Sequence, residues 1–176
     1  IKGNSKIDSV FEPMKKGQVE NLLPVLEALL KKQSVLWSQL KAIAVGIGPG
    51  NFTGIRLSVS AARGLALSLG IPVIAISNFE ILGPIDQKKN EDKQTTILSL
   101  QGPGTSAYIQ IYNNKTKFTH NLQINLNNIN FDIPHDVETT VIGYKAKEIA
   151  LSTGCRYVSA GLTNIPVNLV KRAQEK

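Results

Sequence analysis

Cysteine and histidine are scarce in this 176-residue chain, which has one cysteine, Cys155, and two histidines, His120 and His135. A single cysteine excludes an internal disulfide framework and favours a reducing compartment. Neither histidine lies in a recognisable nucleophile motif, and the chain has no His-x-x-x-His pair. We therefore expect no metal site, and we interpret Cys155 as a partly buried structural thiol.

Long hydrophobic runs and concentrated charge are also missing. No apolar run reaches the ~18 residues that span a bilayer, and the first residues carry no basic and apolar signal segment. The formal net charge is +7, and sixteen of the twenty basic residues are lysines, which are spread along the chain rather than interleaved with aromatics. We expect a cytoplasmic protein with a basic surface and no membrane contact. Auxiliary contact with RNA stays open.

The most informative stretch is rich in glycine and reads Gly46-Ile47-Gly48-Pro49-Gly50-Asn51-Phe52-Thr53-Gly54-Ile55-Arg56. A short apolar run ending at Val45 precedes it, and a long apolar segment ending near Leu69 follows it. Glycines allow positive φ angles, and Asn51 or Thr53 can cap a helix by accepting a hydrogen bond from a free N–H group. The pattern predicts a tight connection from a strand to a helix.

The predicted helix is apolar on two sides, whereas a surface helix usually has one apolar face. Its polar side is narrow. Gly64 inside it costs roughly 1 kcal/mol relative to alanine, which favours close approach of a neighbouring backbone. Either the helix is central to its own domain or a partner covers its second side. One stripe contains Ile55, Val59, Ala62, Ala66 and Leu69, and the other contains Leu57, Ala61, Leu65, Gly64 and Ser68.

Known phosphate-binding templates do not fit the glycine stretch. A dinucleotide fingerprint needs glycine at Asn51 or at Thr53, and a P-loop needs Gly-Lys-Ser/Thr where Gly54 is followed by Ile55. Free N–H groups at a helix N-terminus still attract anions, so a structural turn and an anion contact are both compatible with the pattern. None of the five aspartates directly follows a strongly apolar strand, where phosphoryl transfer would need a carboxylate.

Periodicity and turn residues predict a mixed α/β chain. The strands on either side of the glycine stretch's helix should be parallel, since they form a βαβ unit. After an extended stretch at Ile7–Phe11, the predicted elements are helix Gln18–Lys32, strand Ala42–Val45, helix Thr53–Leu69, strand Ile71–Ile76, a polar connection, strands Thr95–Leu100, Ala107–Tyr112, Leu122–Leu126 and Thr139–Ile142, helix Lys145–Ser152, strand Tyr157–Ser159 and helix Val167–Gln174.

Residues Gly48–Arg56, together with Gly64-Leu65-Ala66-Leu67 and Ile71-Pro72-Val73, closely resemble the bacterial TsaB (YeaZ) family, which older catalogues class as M22 glycoprotease-like. Asn21-Leu22-Leu23-Pro24 also resembles the family's first helix. The family usually has serine at Asn51 and often histidine at Gln18. The resemblance is specific over about Gln18 to Ile76.

The resemblance implies an actin/Hsp70/sugar-kinase-like (ASKHA) fold, in which two RNase H-like lobes contain mixed sheets flanked by helices. We expect an N-terminal lobe at residues 1–82, a connection at 83–94 and a smaller lobe at 95–176. The family's opening Ile-Asp-Thr segment and its closing Tyr-Leu-Arg segment are not found, so the first strand of the N-terminal lobe is expected to be missing.

The resemblance also implies a non-catalytic adaptor subunit in the formation of threonylcarbamoyladenosine (t6A) on tRNA. The implied partners are a TsaD-type catalytic paralogue, a TsaE-type ATPase, and a second copy of the chain when the paralogue is absent. Contact with tRNA would be indirect or auxiliary. The chain would have no cofactor of its own, while ATP or ADP at the partner interface stays open.

From these arguments we predict two sets of site residues and no catalytic or metal-binding residue. Arg56 and Arg63 would pair with partner carboxylates or with a nucleotide, or remain solvated. The predicted partner interface consists of Leu22, Leu26, Leu29, Gly48, Pro49, Gly50, Phe52, Thr53, Ile55, Val59, Ala62, Gly64 and Ala66, and the predicted nucleotide or anion contacts are Gly50, Asn51, Thr53, Arg56 and Arg63.

Three other functions stay open at this point. A nucleotide-dependent enzyme of the same fold would bind ATP tightly and turn it over. A peptidase has only the older family label in its favour. A basic tRNA-binding module would show a steep dependence of tRNA affinity on salt.

Overall fold

A computed structural model of the chain describes residues 7–11, 17–83, 94–113, 116–117, 121–133, 138–158 and 165–176. These residues form two sheets and their flanking helices. The helices are α1 (Gln18–Lys32), α2 (Phe52–Leu69), α3 (Asn78–Leu82), α4 (Ala146–Thr153) and α5 (Ile165–Gln174), with a 3-10 turn at Trp37–Gln39. The strands are β1 (Ile43–Gly46), β2 (Val73–Ile76), β3 (Gln94–Gln101), β4 (Ser106–Asn113), β5 (Thr116–Lys117), β6 (Leu122–Asn125), β7 (Glu138–Gly143) and β8 (Arg156–Val158).

The first sheet is the βαβ unit that surrounds the glycine stretch. Strands β1 and β2 are parallel, with Ile43 opposite Val73 and Gly46 opposite Ile76. Helix α2 packs on this sheet and ends at Gly70, whose left-handed φ of 65° lets the chain turn back. The parallel pairing and the role of Gly70 confirm the prediction from the sequence.

Within the described residues the second sheet has six strands, of which five follow the order β5-β4-β3-β7-β8 and the sixth, β6, also pairs with β4. Strands β3 and β4 form an antiparallel hairpin, whereas β3, β7 and β8 are parallel. Alternate residues of β3 point to opposite faces, so Ile97 packs with α4 and Leu98 packs with Phe79 of α3. The sheet therefore has a helix on each face.

Helix α5 returns from the second half of the chain to the first. It packs on α3 and on both strands of the first sheet. The polar connection predicted at residues 83–94 lies mostly outside the described residues, so the division into lobes at that point stays a prediction. The packing of α5 nevertheless ties the last helix to the N-terminal sheet.

Most element bounds agree with the sequence predictions to within two residues, and those of α1 are identical. The stretch Ile7–Phe11 forms no strand. Helix α3 and strand β5 were not predicted. No helix among the described residues combines the length and hydropathy needed to cross a bilayer.

Candidate partner-binding surface

The glycine loop between β1 and α2 is held by hydrogen bonds at both ends. At its start the N–H of Ile47 donates to Ile76 O of β2 at 2.9 Å. At its end the Asn51 side chain accepts from the N–H of Gly54 at 3.0 Å and caps α2. Gly48 has a φ of 91°, which favours glycine, and a Cβ there would lie 2.7 Å from Cδ1 of Ile55. The loop is therefore tightly fitted to the first turn of its helix.

Asn78, the first residue of α3, holds the middle of the loop. Its backbone N–H donates to Gly48 O at 2.7 Å, and its side-chain Nδ2 donates to Pro49 O at 2.9 Å. Asn78 was not among the site residues predicted from the sequence. The signal that could have found it is the pair Ser77 and Glu80 after strand β2, which forms a capping box and starts a helix at that point.

Helix α2 turns its first apolar stripe towards its own subunit. Ala62 and Ala66 are buried, and Ile55, Val59 and Leu69 are half-buried. The predicted interface included four of these residues. Ala62 and Ala66 pack inside the chain, so their side chains offer little surface to a partner, and the interface as a whole stays a prediction.

The second apolar stripe of α2 forms a groove with α1. The groove has a volume of about 370 Å³, and an adjoining depression of about 620 Å³ lies towards the C-terminal end of α2. Gly64 lines both. A Cβ at Gly64 would meet no atom within 4 Å, so the close neighbour that we expected is absent among the described residues. We call this feature the α1–α2 groove; its lining residues are Leu22, Leu23, Leu57, Ser60, Ala61, Gly64, Leu65 and Ser68.

Helix α1 contributes its leucines to this surface unevenly. The predicted Leu22, Leu26 and Leu29 are half-buried. Leu23, which the prediction omitted, is 46% exposed and lines the groove with Leu22. The spacing of the leucines predicts which face of α1 is apolar. Which leucines of that face stay exposed depends on where α2 packs, and the sequence does not show this.

The predicted anion contacts do not converge on one point. The side chain of Asn51 is engaged as a helix cap, and the guanidinium of Arg56 stacks on the ring of Phe52, 3.8 Å from its centroid. Arg63 is exposed two turns further on, about 10 Å along the helix axis. Phe52 is itself 64% exposed. The arrangement presents an aromatic and two guanidinium groups on the surface.

Catalytic chemistry has few candidate groups in the part of the chain that the structure describes. No cluster of three or more histidine, cysteine, aspartate or glutamate side chains there could hold a metal ion. His120 and His135 lie outside the described residues. Burial raises the pKa of Tyr112 to about 12, and its hydroxyl is bound to Phe79 O and Gln110. That tyrosine is therefore a buried structural donor.

Residues 12–150 match the protein-family model TsaD, described as tRNA N6-adenosine threonylcarbamoyltransferase. Among curated proteins, two named tRNA threonylcarbamoyladenosine biosynthesis protein TsaB, from Buchnera aphidicola of Acyrthosiphon pisum and of Schizaphis graminum, are 32% and 36% identical. The matches cover 53% and 52% of this chain, and 42% and 43% of those proteins. The TsaB of Escherichia coli is 30% identical over 48% of this chain and 36% of its own length. The matched stretch thus spans less than half the length of these relatives.

Two solved structures from Pseudomonas aeruginosa share the fold. One is described as YeaZ, with a TM-score of 0.67 and 20% identity, and the alignment covers 90% of this chain and 76% of that one. The other is described as similar to peptidase YeaZ, with a TM-score of 0.67 and 19% identity over 93% of this chain and 80% of that one. These likenesses and the family match confirm the predicted ASKHA-type α/β fold.

Proposed function

This chain belongs to the TsaB (YeaZ) family, and we propose that it acts in tRNA threonylcarbamoyladenosine biosynthesis as a partner-binding subunit without a catalytic site of its own. In this proposal the α1–α2 groove binds a TsaD-type catalytic paralogue. The resulting assembly recruits a TsaE-type ATPase. The observation that carries the proposal is the apolar groove, which the rest of the described chain leaves open.

The shape of the groove suits a helix from another molecule. Ser60, Gly64 and Ser68 are exposed and lie four residues apart along α2, so they share one face of the helix. Small residues at that spacing let a second backbone approach closely, while Leu57 and Leu65 offer apolar contact on the groove side. Exposed apolar patches of this kind, bordered by polar residues, typically mark protein interfaces.

The exposed face of α2 also carries two cations that a partner could pair with. Arg56 and Arg63 are its only charged residues. In this proposal they pair with carboxylates of the paralogue, or with ATP or ADP at the interface; that they remain solvated is the alternative that the sequence leaves open. When the paralogue is absent, the same face would bind a second copy of the chain around a two-fold axis.

The test is co-purification with the paralogue, using variants that change the groove without disturbing the fold. Gly64→Leu places a larger side chain where the chain itself has free space, so we expect folding to be retained and association to fall by at least about tenfold. Leu151→Glu is the matched control, since Leu151 is 71% exposed on α4, outside the groove. Unchanged association of Gly64→Leu would contradict the proposal.

A further inference from the structure

Three distant parts of the chain meet at the short helix α3. Phe79 O accepts the last local bond of the helix, from the Gly83 N–H at 2.7 Å, and the carbonyls of Glu80 and Ile81 lie beyond it. The hydroxyl of Tyr112 on β4 shares its one proton between Gln110 Oε1 at 2.6 Å and Phe79 O at 3.1 Å. From α5, Arg172 Nε donates to Glu80 O at 3.1 Å and Asn168 Nδ2 donates to Ile81 O at 3.0 Å. The C-terminal end of α3 is thus fixed by side chains from the second sheet and from the last helix.

The opposite end of α3 reaches the glycine loop. Asn78 donates from its backbone to Gly48 O and from its side chain to Pro49 O. Both bonds would change if α3 rotated or shifted along its axis. The five residues of α3 are too few to hold a helix by local hydrogen bonds alone. Burial of Phe79 and Ile81 keeps the helix on the core, and the tertiary hydrogen bonds at its two ends fix its rotation and its shift along its axis.

From this connection we propose that α5 sets the position of the glycine loop through α3, with Asn168 and Arg172 as positioning residues. Arg172 also places a cation at the carbonyl end of α3, where the helix dipole is negative. The glycine loop determines where α2 begins, through the cap at Asn51. Through these steps α5 orients the α1–α2 groove, and this last consequence rests on the proposed function.

The first experiment needs no partner. Amide hydrogen exchange is measured on the whole chain carrying Asn168→Ala with Arg172→Leu, and on Gln174→Ala as an exposed control on the same helix. We expect about tenfold faster exchange at Asn78, Gly54 and Ile55, because their bonds lose a fixed anchor. Exchange at Ile97 and Val141 in the second sheet should stay as in the parent chain.

Two results would overturn the proposal. One is unchanged exchange at Asn78, Gly54 and Ile55, and the other is an equal rise throughout both sheets, which would mean that the substitutions lower only the overall stability. A second double variant combines Asn168→Ala with Arg172→Lys, which keeps a cationic donor. In this variant, exchange at Asn78, Gly54 and Ile55 should be slower than in the variant with Arg172→Leu.

A second experiment separates this inference from the proposed function. The affinity for the TsaD-type paralogue should fall about tenfold in the Asn168 and Arg172 variant and stay unchanged in Gln174→Ala. Loss of binding in Gly64→Leu but not in the α5 variant would overturn the positioning role and leave the proposed function intact. If the parent chain does not bind the paralogue, the proposed function fails, and the exchange experiment alone decides the positioning role.

Discussion

Two glycines of the same βαβ unit have opposite roles. Gly48 needs its positive φ, and any Cβ would meet Ile55. Gly64 lies in regular helix with open space around it, so only its conformational freedom weakens α2. Gly64 lowers the stability of α2 in the isolated chain. This loss is consistent with a helix backbone that is kept accessible to a second molecule.

We predict that Gly64→Ala raises the free energy of unfolding of the isolated chain by about 1 kcal/mol, because alanine is the better helix former and meets no clash. Gly48→Ala should lower it instead, since a non-glycine residue is disfavoured at that φ and its Cβ would be crowded. Chemical denaturation of the three chains measures both changes. A stability loss in Gly64→Ala would mean that the open space at this position is filled in solution.

Elements with a clear apolar pattern were predictable, including short strands such as β1 and β8, whereas helix α3 and strand β5 were not. The bounds of α1 follow from leucines at helical spacing. Helix α3 has too few residues to show a period, and its anchors Tyr112, Asn168 and Arg172 are separated from it by about 30 to 90 residues. The two apolar stripes of α2 were recognised in the sequence. Which stripe faces the first sheet depends on tertiary packing, so the predicted interface included Ala62 and Ala66 and omitted Leu23, Leu57 and Leu65.

Glu80 of the short helix α3 makes the stability of the folded chain depend on pH. Burial alone would raise the pKa of Glu80, but the hydrogen bond from the Ser77 N–H and the charges of Lys176 and Arg172 outweigh it and hold the pKa below its ordinary 4.5. A carboxylate whose pKa is lowered by folding stabilises the folded state above its unfolded pKa and loses this effect as pH falls through the folded pKa.

We therefore expect Glu80→Gln to lower the free energy of unfolding above pH 4.5, with a difference from the parent chain that shrinks as the pH falls below that value. Denaturant unfolding between about pH 3 and pH 7 measures this difference. A difference that stays constant over the whole range, or that grows on acidification, would contradict the stated role of Glu80.

At the scale of the whole molecule, the two sheets are connected by contacts between segments that are far apart in sequence. Helix α5 packs on the first sheet although it follows the second, and Tyr112 of the second sheet reaches α3, which directly follows the first sheet in the chain. The fold was predicted from the family resemblance of the first half, where the glycine stretch is distinctive. The mutual support of the two halves could not be predicted, because it rests on side-chain hydrogen bonds between residues far apart in sequence.

The most direct measurement is hydroxyl-radical footprinting of this chain alone and mixed with the TsaD-type paralogue. Phe52, Leu23 and Leu67 are 64%, 46% and 86% exposed, and Leu151 is 71% exposed on α4. We predict that oxidation falls several-fold on mixing at Leu23 in the α1–α2 groove, at Leu67 in the adjoining depression and at Phe52 in the predicted interface, while oxidation of Leu151 stays the same. Equal protection of Leu151, or no protection of Leu23 in a complex that forms, would contradict the assignment of the α1–α2 groove as the partner-binding surface.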